Sequence, residues 1–288
     1  MKHVSPQDAP LTAIPTPLEC YELCVQSPRH VAAFLAGVHG QRPTTLREDC
    51  CGTAAVSRRW VEDGQRIGET RNAVAVDHDR ATLATADRAI ADAGLAREVV
   101  VLEQDCFHAA PATLEPHDAC DVIFLGNFSL GYIHTRDALV TYLASCKRRL
   151  GAGNAGFGGG VVVCDLYGGA NAFTLGSTRR VHPAPGREIV HYLWEVEEAD
   201  PRSALVTNAI SFRVVRDGEV VAEYPRCFVY RWRLWSLPEL ADAAAQAGFS
   251  RGIDIYTDIN TPPGAVPTPI MHARELPADW IVCLAARA

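Results

Sequence analysis

Short apolar runs alternate with amphipathic stretches over most of the chain. Unbroken apolar runs are typical of strands covered on both faces, whereas apolar positions three or four apart indicate helices. This pattern predicts strands at 44–49, 73–77, 99–104, 122–126 and 161–164. It predicts helices at 19–26, 28–37, 54–63, 79–93 and 135–150. Repeated alternation of strand and helix predicts a doubly wound, mostly parallel α/β sheet of the Rossmann-like kind.

The pattern changes after the fifth predicted strand. Three extended stretches follow, at 191–196, 205–215 and 220–232. Asp217–Gly218, between the last two stretches, is a strong hairpin turn signal. We therefore expect an antiparallel β insertion at 186–233, which serves as a lid within the domain.

The end of the chain returns to helix and strand. Ser236 and Glu239 spell a capping box, which starts a helix that ends at Gly248. Strands at 251–256 and 280–286 follow. With the five strands before the insertion, they predict a sheet of seven strands.

Domain organisation follows from length and from the Pro and Gly content. Residues 1–17 are Pro-rich and are expected to form a flexible arm. Residues 18–288 are expected to form one domain, since a chain of 288 residues can bury one sizeable α/β core. The Gly-rich stretch 151–160 predicts a loop.

Composition excludes several classes of function. The net charge is −7, and the Arg residues are scattered rather than clustered, so we expect no nucleic-acid partner. No apolar run approaches the ~18 residues that cross a bilayer, so we expect no membrane partner. The first twenty residues are polar and Pro-rich, without the apolar core of a signal peptide. A cytoplasmic protein with reduced cysteines is therefore expected.

The ten cysteines raise the alternative of a zinc site. Cys20 and Cys24 lie four apart, and Cys106 is close to His108. There is no C-x-x-C pair, and these spacings match no standard zinc pattern. We therefore expect no metal and read most of the cysteines as packing residues.

The candidate chemistry begins at the turn after the first predicted strand. The segment E-D-C-C-G-T-A, residues 48–54, has one glycine and is preceded by carboxylates. It lacks the G-x-G-x-x-G turn that admits a pyrophosphate, and negative side chains disfavour one. Asp77 ends the next strand, and the carboxyl ends of parallel strands meet at one sheet edge. The pattern indicates a site for a nucleoside that carries positive charge.

The segment L-R-E-D-C-C-G-T-A resembles the first motif of class I S-adenosylmethionine-dependent methyltransferases, commonly acidic-x-G-x-G-x-G. Glu48 takes the acidic place and Gly52 the central glycine, while Cys50 and Ala54 stand where the flanking glycines would be. With the upstream Y-E-L-C-V-Q-S-P, the segment looks like a bacterial subgroup of these enzymes. The resemblance extends over residues 19–288 in the order of the secondary-structure elements. Its sequence motifs are specific only in the first half of the chain.

The resemblance implies S-adenosyl-L-methionine as cofactor and a role for each matching residue. Asp77 takes the position that binds the ribose hydroxyls, and Asp105 the position that accepts from the adenine amino group. Cys106 lies alongside the adenine ring. Asn127 follows the fourth strand, where the family keeps residues near the departing methyl. The expected cofactor-binding residues are Glu48, Cys50, Gly52, Asp77, Asp105, Cys106 and Asn127.

The implied reaction transfers a methyl group to a nitrogen or oxygen atom of a small-molecule acceptor. Alignment alone can lower such a barrier by ~7–11 kcal/mol, and a general base is needed only for a protonated nucleophile. Asn127, Tyr132 and His134 are weak candidates for catalytic roles. Aromatic residues and arginines in and near the insertion predict acceptor contacts, although a plain β-sheet core explains them equally well. These candidates are Tyr132, Trp194, Tyr230, Arg231 and Trp232.

Two other functions compete with this interpretation. A catalytically silent protein that binds S-adenosylmethionine or S-adenosylhomocysteine for regulation is suggested by the altered glycines at Cys50 and Ala54. A nicotinamide-dependent oxidoreductase is disfavoured by the acidic first turn. A homodimer is compatible with the sequence, which does not fix the oligomeric state.

Overall fold

The computed structural model describes residues 13–40, 42–107, 118–151, 159–260, 262, 264–272 and 275–288. These residues form two compact units. One unit is built from 13–26 together with Leu175–Glu198 and Thr207–Tyr230. The other contains Ser27–Thr174, Ala199–Val206 and Arg231–Ala288. The second, larger unit is the α/β domain that the sequence pattern predicts.

The α/β unit contains a seven-stranded sheet in the order β10-β11-β5-β4-β1-β2-β3. Strands β1 to β5 run parallel where they pair, and β11 is antiparallel to both β5 and β10. The strands are β1 Thr45–Asp49, β2 Asn72–Asp77, β3 Val99–Glu103, β4 Val122–Leu125, β5 Val161–Gly169, β10 Ile253–Tyr256 and β11 Asp279–Arg287. The predicted fold class is confirmed.

Helices cover both faces of this sheet. They are α2 Pro28–His39, α3 Ala55–Ile67, α4 Arg80–Asp92, α5 Arg136–Gly151 and α6 Leu237–Gln246. Trp60 of α3 and Phe34 of α2 lie fully buried in one apolar layer, together with the inward side chains of α4. Tyr142 of α5 and Phe249, just after α6, lie in the other layer. Burying a large apolar side chain contributes ~1.5–3 kcal/mol, so these layers hold the helices on the sheet.

The insertion is an antiparallel sheet of four strands in the order β6-β7-β8-β9. Its strands are β6 Gly176–Pro183, β7 Glu188–Asp200, β8 Leu205–Arg216 and β9 Glu219–Arg233. Asp217 and Gly218 both have positive φ, of 52° and 88°, as expected for the hairpin turn predicted between β8 and β9. The insertion predicted after the fifth strand is confirmed.

One strand of the insertion was not predicted. Seven of the eight residues of β6 are exposed, so this edge strand carries no alternation of apolar and polar positions. The insertion therefore begins about ten residues before the expected 186–233. Strand β5 also runs beyond the predicted Cys164 to Gly169, because it stays paired with β11 after its pairing with β4 ends.

The N-terminal residues belong to the smaller unit. Helix α1, Pro17–Val25, is capped by the Thr16 side chain. The Pro15 carbonyl accepts a hydrogen bond of 2.9 Å from the Tyr224 hydroxyl. The described end of the predicted arm is therefore bound to the insertion unit, while 1–12 lie outside the described residues. Helix α1 groups with the insertion and not with the α/β unit.

All ten cysteines are free thiols, and eight of them are buried. Among the described residues, no group of three or more His, Cys, Asp or Glu side chains is arranged to hold a metal ion. His108, which was weighed as a zinc ligand, and most of the predicted loop 151–160 lie outside the described residues. In the part of the chain that is described, no helix has both the length and the apolar character of a membrane span.

Candidate functional site

The candidate site lies at the carboxyl edge of the parallel strands. Asp49 of β1 pairs in register with Val76 of β2 and Leu125 of β4, and Asp77 of β2 pairs with Glu103 of β3. The four turns that follow these strands therefore leave the sheet on one edge. This is the edge at which open α/β sheets bind ligands.

The turn after β1 has an unusual backbone. Cys50, Gly52 and Ala54 have φ values of 53°, 55° and 56°, a region that glycine adopts readily and other residues rarely do. These are the three positions aligned with the glycines of the motif that the segment resembles. The turn therefore keeps the backbone shape of three glycines although two of them are replaced.

Asp77 anchors this turn. Its Oδ2 accepts a hydrogen bond of 2.9 Å from the Gly52 N–H. Its Oδ1 accepts from the N–H groups of His78 and Asp79, at 2.8 and 3.0 Å. The side chain is 12% exposed, so the carboxylate borders solvent at the sheet edge while it holds the turn. Asp79, not Asp77, caps α4 through the Ala81 N–H.

Glu48 is buried and faces the first turn of α3. Its Oε2 accepts hydrogen bonds from the Ser57 N–H at 2.8 Å and the Ser57 hydroxyl at 2.5 Å. Burial raises the pKa of Glu48 to about 7, although the bonds from Ser57 and the nearby Arg58 act in the opposite direction. Its described bonds therefore support α3, and direct contact of Glu48 with a ligand stays a prediction.

This pKa predicts a pH dependence of stability. A carboxyl whose pKa is higher in the folded chain than its ordinary 4.5 binds more protons when folded. Through Glu48, the free energy of unfolding should fall as the pH rises from 4.5 to about 7, by up to ~1.4 kcal/mol per pH unit. Glu48→Gln should remove this slope.

Urea unfolding of both proteins between pH 4 and pH 8 measures the effect. Burial also raises the pKa of Asp165, to about 6, but that carboxyl is present in both proteins and cancels in the difference. Parallel stability curves for the two proteins would show that Glu48 does not titrate in this range.

Asp49 does not face the turn after β1, although the sequence predicts that both Glu48 and Asp49 place negative charge there. It lies on the opposite face of β1 from Glu48, since neighbouring side chains of a strand alternate. Its Oδ1 accepts from the Arg47 Nε at 2.8 Å and its Oδ2 from the Tyr142 hydroxyl at 3.0 Å. All three side chains are buried. Of the two acids, only Glu48 lies on the face of β1 that carries α3.

The turn after β3 meets the turn after β1. The Sγ atoms of Cys106 and Cys50 are 3.5 Å apart, and this contact is the largest cause of a raised pKa of the Cys106 thiol. Asp105 is exposed, and its Oδ1 accepts from the Phe107 N–H at 2.9 Å. The structure thus brings four of the proposed cofactor residues, Cys50, Gly52, Asp77 and Cys106, into one group with Asp105 beside it.

The turn after β4 is held by a residue that sequence reasoning missed. Asn127 and Phe128 have φ values of 56° and 60°. Their N–H groups donate to the two oxygens of Asp165, at 3.0 and 2.7 Å. Burial raises the pKa of Asp165 to about 6, against the effect of these backbone bonds. The sequence does contain a feature that could have identified Asp165, because this residue ends the apolar run V-V-V-C just as Asp77 ends A-V-A-V.

Tyr132 and His134, the two other weak catalytic candidates, differ in their surroundings. Tyr132 ends a short 3-10 helix, Ser129–Tyr132, and burial, together with the nearby Asp77 carboxylate, raises its pKa to about 12. The phenol therefore stays protonated near neutral pH. His134 is exposed, and its Nε2 lies 2.9 Å from the Arg231 carbonyl oxygen. Its contacts tie it to the end of β9.

The proposed acceptor residues fall into two groups. Trp232 is 2% exposed and lies edge-on to Tyr132, with ring centroids 6.1 Å apart. A Cβ atom on Gly131 would lie 2.6 Å from the Trp232 Cβ, so only glycine permits this close packing. Arg231 is exposed and contacts His134 through its backbone only. Trp194 and Tyr230 stack on each other at 6.5 Å in the insertion unit.

No protein-family model and no curated protein sequence matches the chain. Solved structures do. An S-adenosylmethionine-dependent methyltransferase from Clostridium acetobutylicum is 17% identical, with a TM-score of 0.63 over 93% of this chain and 95% of that one. A sugar N-methyltransferase from Streptoalloteichus sp is 17% identical, with a TM-score of 0.61 over 100% of both chains.

A third similar structure is an amino pentose methyltransferase from Micromonospora echinaspora, solved with S-adenosylmethionine bound. It is 13% identical, with a TM-score of 0.60 over 93% of this chain and 94% of that one. At these identities the likeness concerns the fold. The chain has the fold of S-adenosylmethionine-dependent methyltransferases, the family that its first turn resembles.

Proposed function

We propose that the protein transfers a methyl group from S-adenosylmethionine to a nitrogen or oxygen atom of a small-molecule acceptor. The observation that carries the proposal is the turn after β1. Cys50, Gly52 and Ala54 keep left-handed backbone conformations at the glycine positions of the motif, and Asp77 ties Gly52 to the end of β2. A turn of this shape lets a ligand approach the backbone closely.

The side chains at this edge suit an adenosyl ligand that carries positive charge. A carboxylate has about four acceptor sites, and three backbone N–H groups donate to Asp77, so one site is left to accept from a ribose hydroxyl. Asp105 is exposed beside the turn and can accept from an adenine amino group. Glu48 adds negative charge behind the turn at pH values above its raised pKa of about 7.

The chain's own residues contribute orientation more than proton transfer. When bound, S-adenosylmethionine supplies a methyl group on a positively charged sulfur, which is already a good leaving group. The carboxylates and the turn backbone fix the ligand, and alignment of this kind can lower a barrier by ~7–11 kcal/mol. Tyr132, with its pKa near 12, can donate a hydrogen bond to an acceptor but does not act as a base near neutral pH.

A small polar acceptor is favoured over a macromolecule. Two of the structures with this fold are a sugar N-methyltransferase and an amino pentose methyltransferase. Tyr132 is exposed near the Asn127–Phe128 turn, with the buried Trp232 edge-on to it, and its ring suits an organic acceptor or an amine through cation–π contact. Roles for Trp194, Tyr230 and Arg231 in acceptor binding, and a homodimer, stay predictions.

The silent binding protein is the second candidate. This function was suggested by the replacement of two glycines of the motif, at Cys50 and Ala54. Since both residues adopt the glycine conformation, the replacements do not alter the turn's backbone. Binding without turnover would nevertheless favour this candidate.

Calorimetry and a transfer assay test the proposal together. We expect S-adenosylmethionine and S-adenosylhomocysteine to bind and NAD not to bind. With radiolabelled methyl groups on S-adenosylmethionine, a metabolite extract should then yield a labelled product, identified by mass spectrometry. NAD binding alone would favour an oxidoreductase. Label that enters only tRNA or a large protein would refute the small-molecule acceptor.

A further inference from the structure

The turn between β4 and the 3-10 helix holds two successive residues in a conformation that side chains disfavour. Asn127 and Phe128 both have φ near 60°. Asn tolerates this region better than most residues, but Phe does not. A turn of this kind persists only when its surroundings hold it in place.

The carboxylate of Asp165 supplies that hold. Its two oxygens accept separately, one from the Asn127 N–H at 3.0 Å and the other from the Phe128 N–H at 2.7 Å. Hydrogen bonds to an ionised group are about twice as strong as those between neutral groups. Among the described residues, the groups that affect the charge of Asp165 are backbone N–H donors, and no Arg, Lys or His acts on it. In the described part of the chain, the partners of this carboxylate are thus backbone N–H groups.

Holding the turn also fixes an aromatic cluster, formed by Phe128, Tyr167 and Trp232. The Phe128 ring lies tilted on Tyr167, with centroids 4.9 Å apart, and edge-on to Trp232 at 5.9 Å. Tyr167 lies two residues after Asp165, on the same side of β5. The position of the Phe128 ring therefore depends on the backbone angles that Asp165 maintains.

We propose that Asp165 is a positioning residue of the methyl-transfer site, which holds the Asn127–Phe128 turn in the shape that receives the adenosyl ligand. This inference rests on the proposed function, because it assigns the turn to that ligand. Asp165 touches no reacting atom in this account and acts through the turn.

Asp165→Asn is the direct test, and Asp121→Asn is its matched control. The amide keeps the shape of the side chain but has only one acceptor oxygen. Its NH₂ group faces the other backbone N–H and cannot accept a hydrogen bond from it. Asp121 is also buried, but its Oδ2 alone accepts from the N–H groups of Thr44 and Thr45, at 2.7 and 3.1 Å, and from the Thr44 hydroxyl at 3.0 Å. It precedes β4, at the opposite edge of the sheet from the turn.

Two measurements separate positioning from mere stability. Hydrogen exchange should accelerate about tenfold or more at the amides of residues 127 and 128 in Asp165→Asn. It should change little at residues 44 and 45 in Asp121→Asn, because the amide oxygen of Asn can take the place of the single accepting oxygen. Calorimetry should show S-adenosylhomocysteine bound about tenfold more weakly by Asp165→Asn, the loss expected for a charge-assisted hydrogen bond. Asp121→Asn should bind like the wild type, even if both variants unfold at similarly lowered temperatures.

A glycine variant keeps the test informative if Asp165→Asn does not fold. Glycine adopts positive φ at little cost, so Asn127→Gly in the Asp165→Asn background should recover part of the lost affinity. If Asp165→Asn alone does not fold, the double variant is compared with Asn127→Gly instead, and weaker ligand binding by the double variant is the expected result.

Three results have distinct meanings. Unchanged exchange at residues 127 and 128 in Asp165→Asn would overturn the proposal, because the carboxylate would not hold the turn. Accelerated exchange with unchanged ligand affinity would also overturn it, because the turn would lie outside the site. If the wild type binds neither S-adenosylmethionine nor S-adenosylhomocysteine, the proposed function fails, and this assignment of the turn falls with it even where the exchange data show the turn held by Asp165.

Discussion

Replacing Asp77 with alanine is expected to weaken S-adenosylmethionine binding by ~1–3 kcal/mol, about fivefold to more than a hundredfold in Kd. Two losses add in this variant. The carboxylate no longer accepts from a ribose hydroxyl, and the Gly52 N–H loses the acceptor that ties the turn to β2. Isothermal calorimetry with S-adenosylmethionine measures the change.

Asp79→Ala is the matched control for this prediction. Asp79 lies two residues further on and caps α4, accepting from the Ala81 N–H at 3.0 Å and the Thr82 hydroxyl at 2.7 Å. Losing this cap should cost ~0.5–2 kcal/mol of stability but leave ligand affinity unchanged, because the cap faces the helix and not the turn. Unchanged affinity in a folded Asp77→Ala protein would refute the ribose assignment.

The fold could be predicted because its main signals are local. An unbroken apolar run such as V-V-V-C at 161–164 is stable only when covered on both faces, and the helices between such runs carry their own apolar stripes. Turn and cap signals, such as Asp217–Gly218 and the capping box at Ser236, then fix where elements begin and end. Strand β6 escaped prediction because an exposed edge strand has no buried face to pattern its residues.

The candidate site could be predicted only in part, because side-chain direction depends on distant partners. Asp77 was found from its place at a strand end, and the structure adds its bond to Gly52. The contact of Cys50 with Cys106 joins residues far apart in sequence, and no local pattern encodes it. Nothing in E-D-C-C-G shows that Glu48 turns to Ser57 while Asp49 turns to Tyr142. Alternation separates the two acids, but the partners that define their roles lie on other elements.

The largest loss of stability is expected from Arg47→Met. Arg47 and Asp49 are 1% and 2% exposed, and their ion pair lies where β1 leads into the first turn. Removing one member of a buried pair leaves the other charge uncompensated, which costs ~3–5 kcal/mol. The free energy of unfolding in urea at pH 7 should fall by that amount. The loss should shrink at lower pH, because Asp49, whose pKa burial already raises, can then take up a proton.

Replacing both charges should recover most of this loss. Arg47→Met with Asp49→Leu exchanges the pair for apolar side chains, and such exchanges are often neutral or stabilising. The Arg47 Nη1 is buried without a hydrogen-bond partner among the described residues, so the native pair is itself incompletely satisfied. The Tyr142 hydroxyl would remain without its acceptor, at a cost of ~1–3 kcal/mol, and adding Tyr142→Phe should remove that cost. If the double variant is no more stable than Arg47→Met, the loss comes from packing around Arg47 and not from the stranded charge. In that case the ion pair is not what fixes the end of β1 beneath the turn.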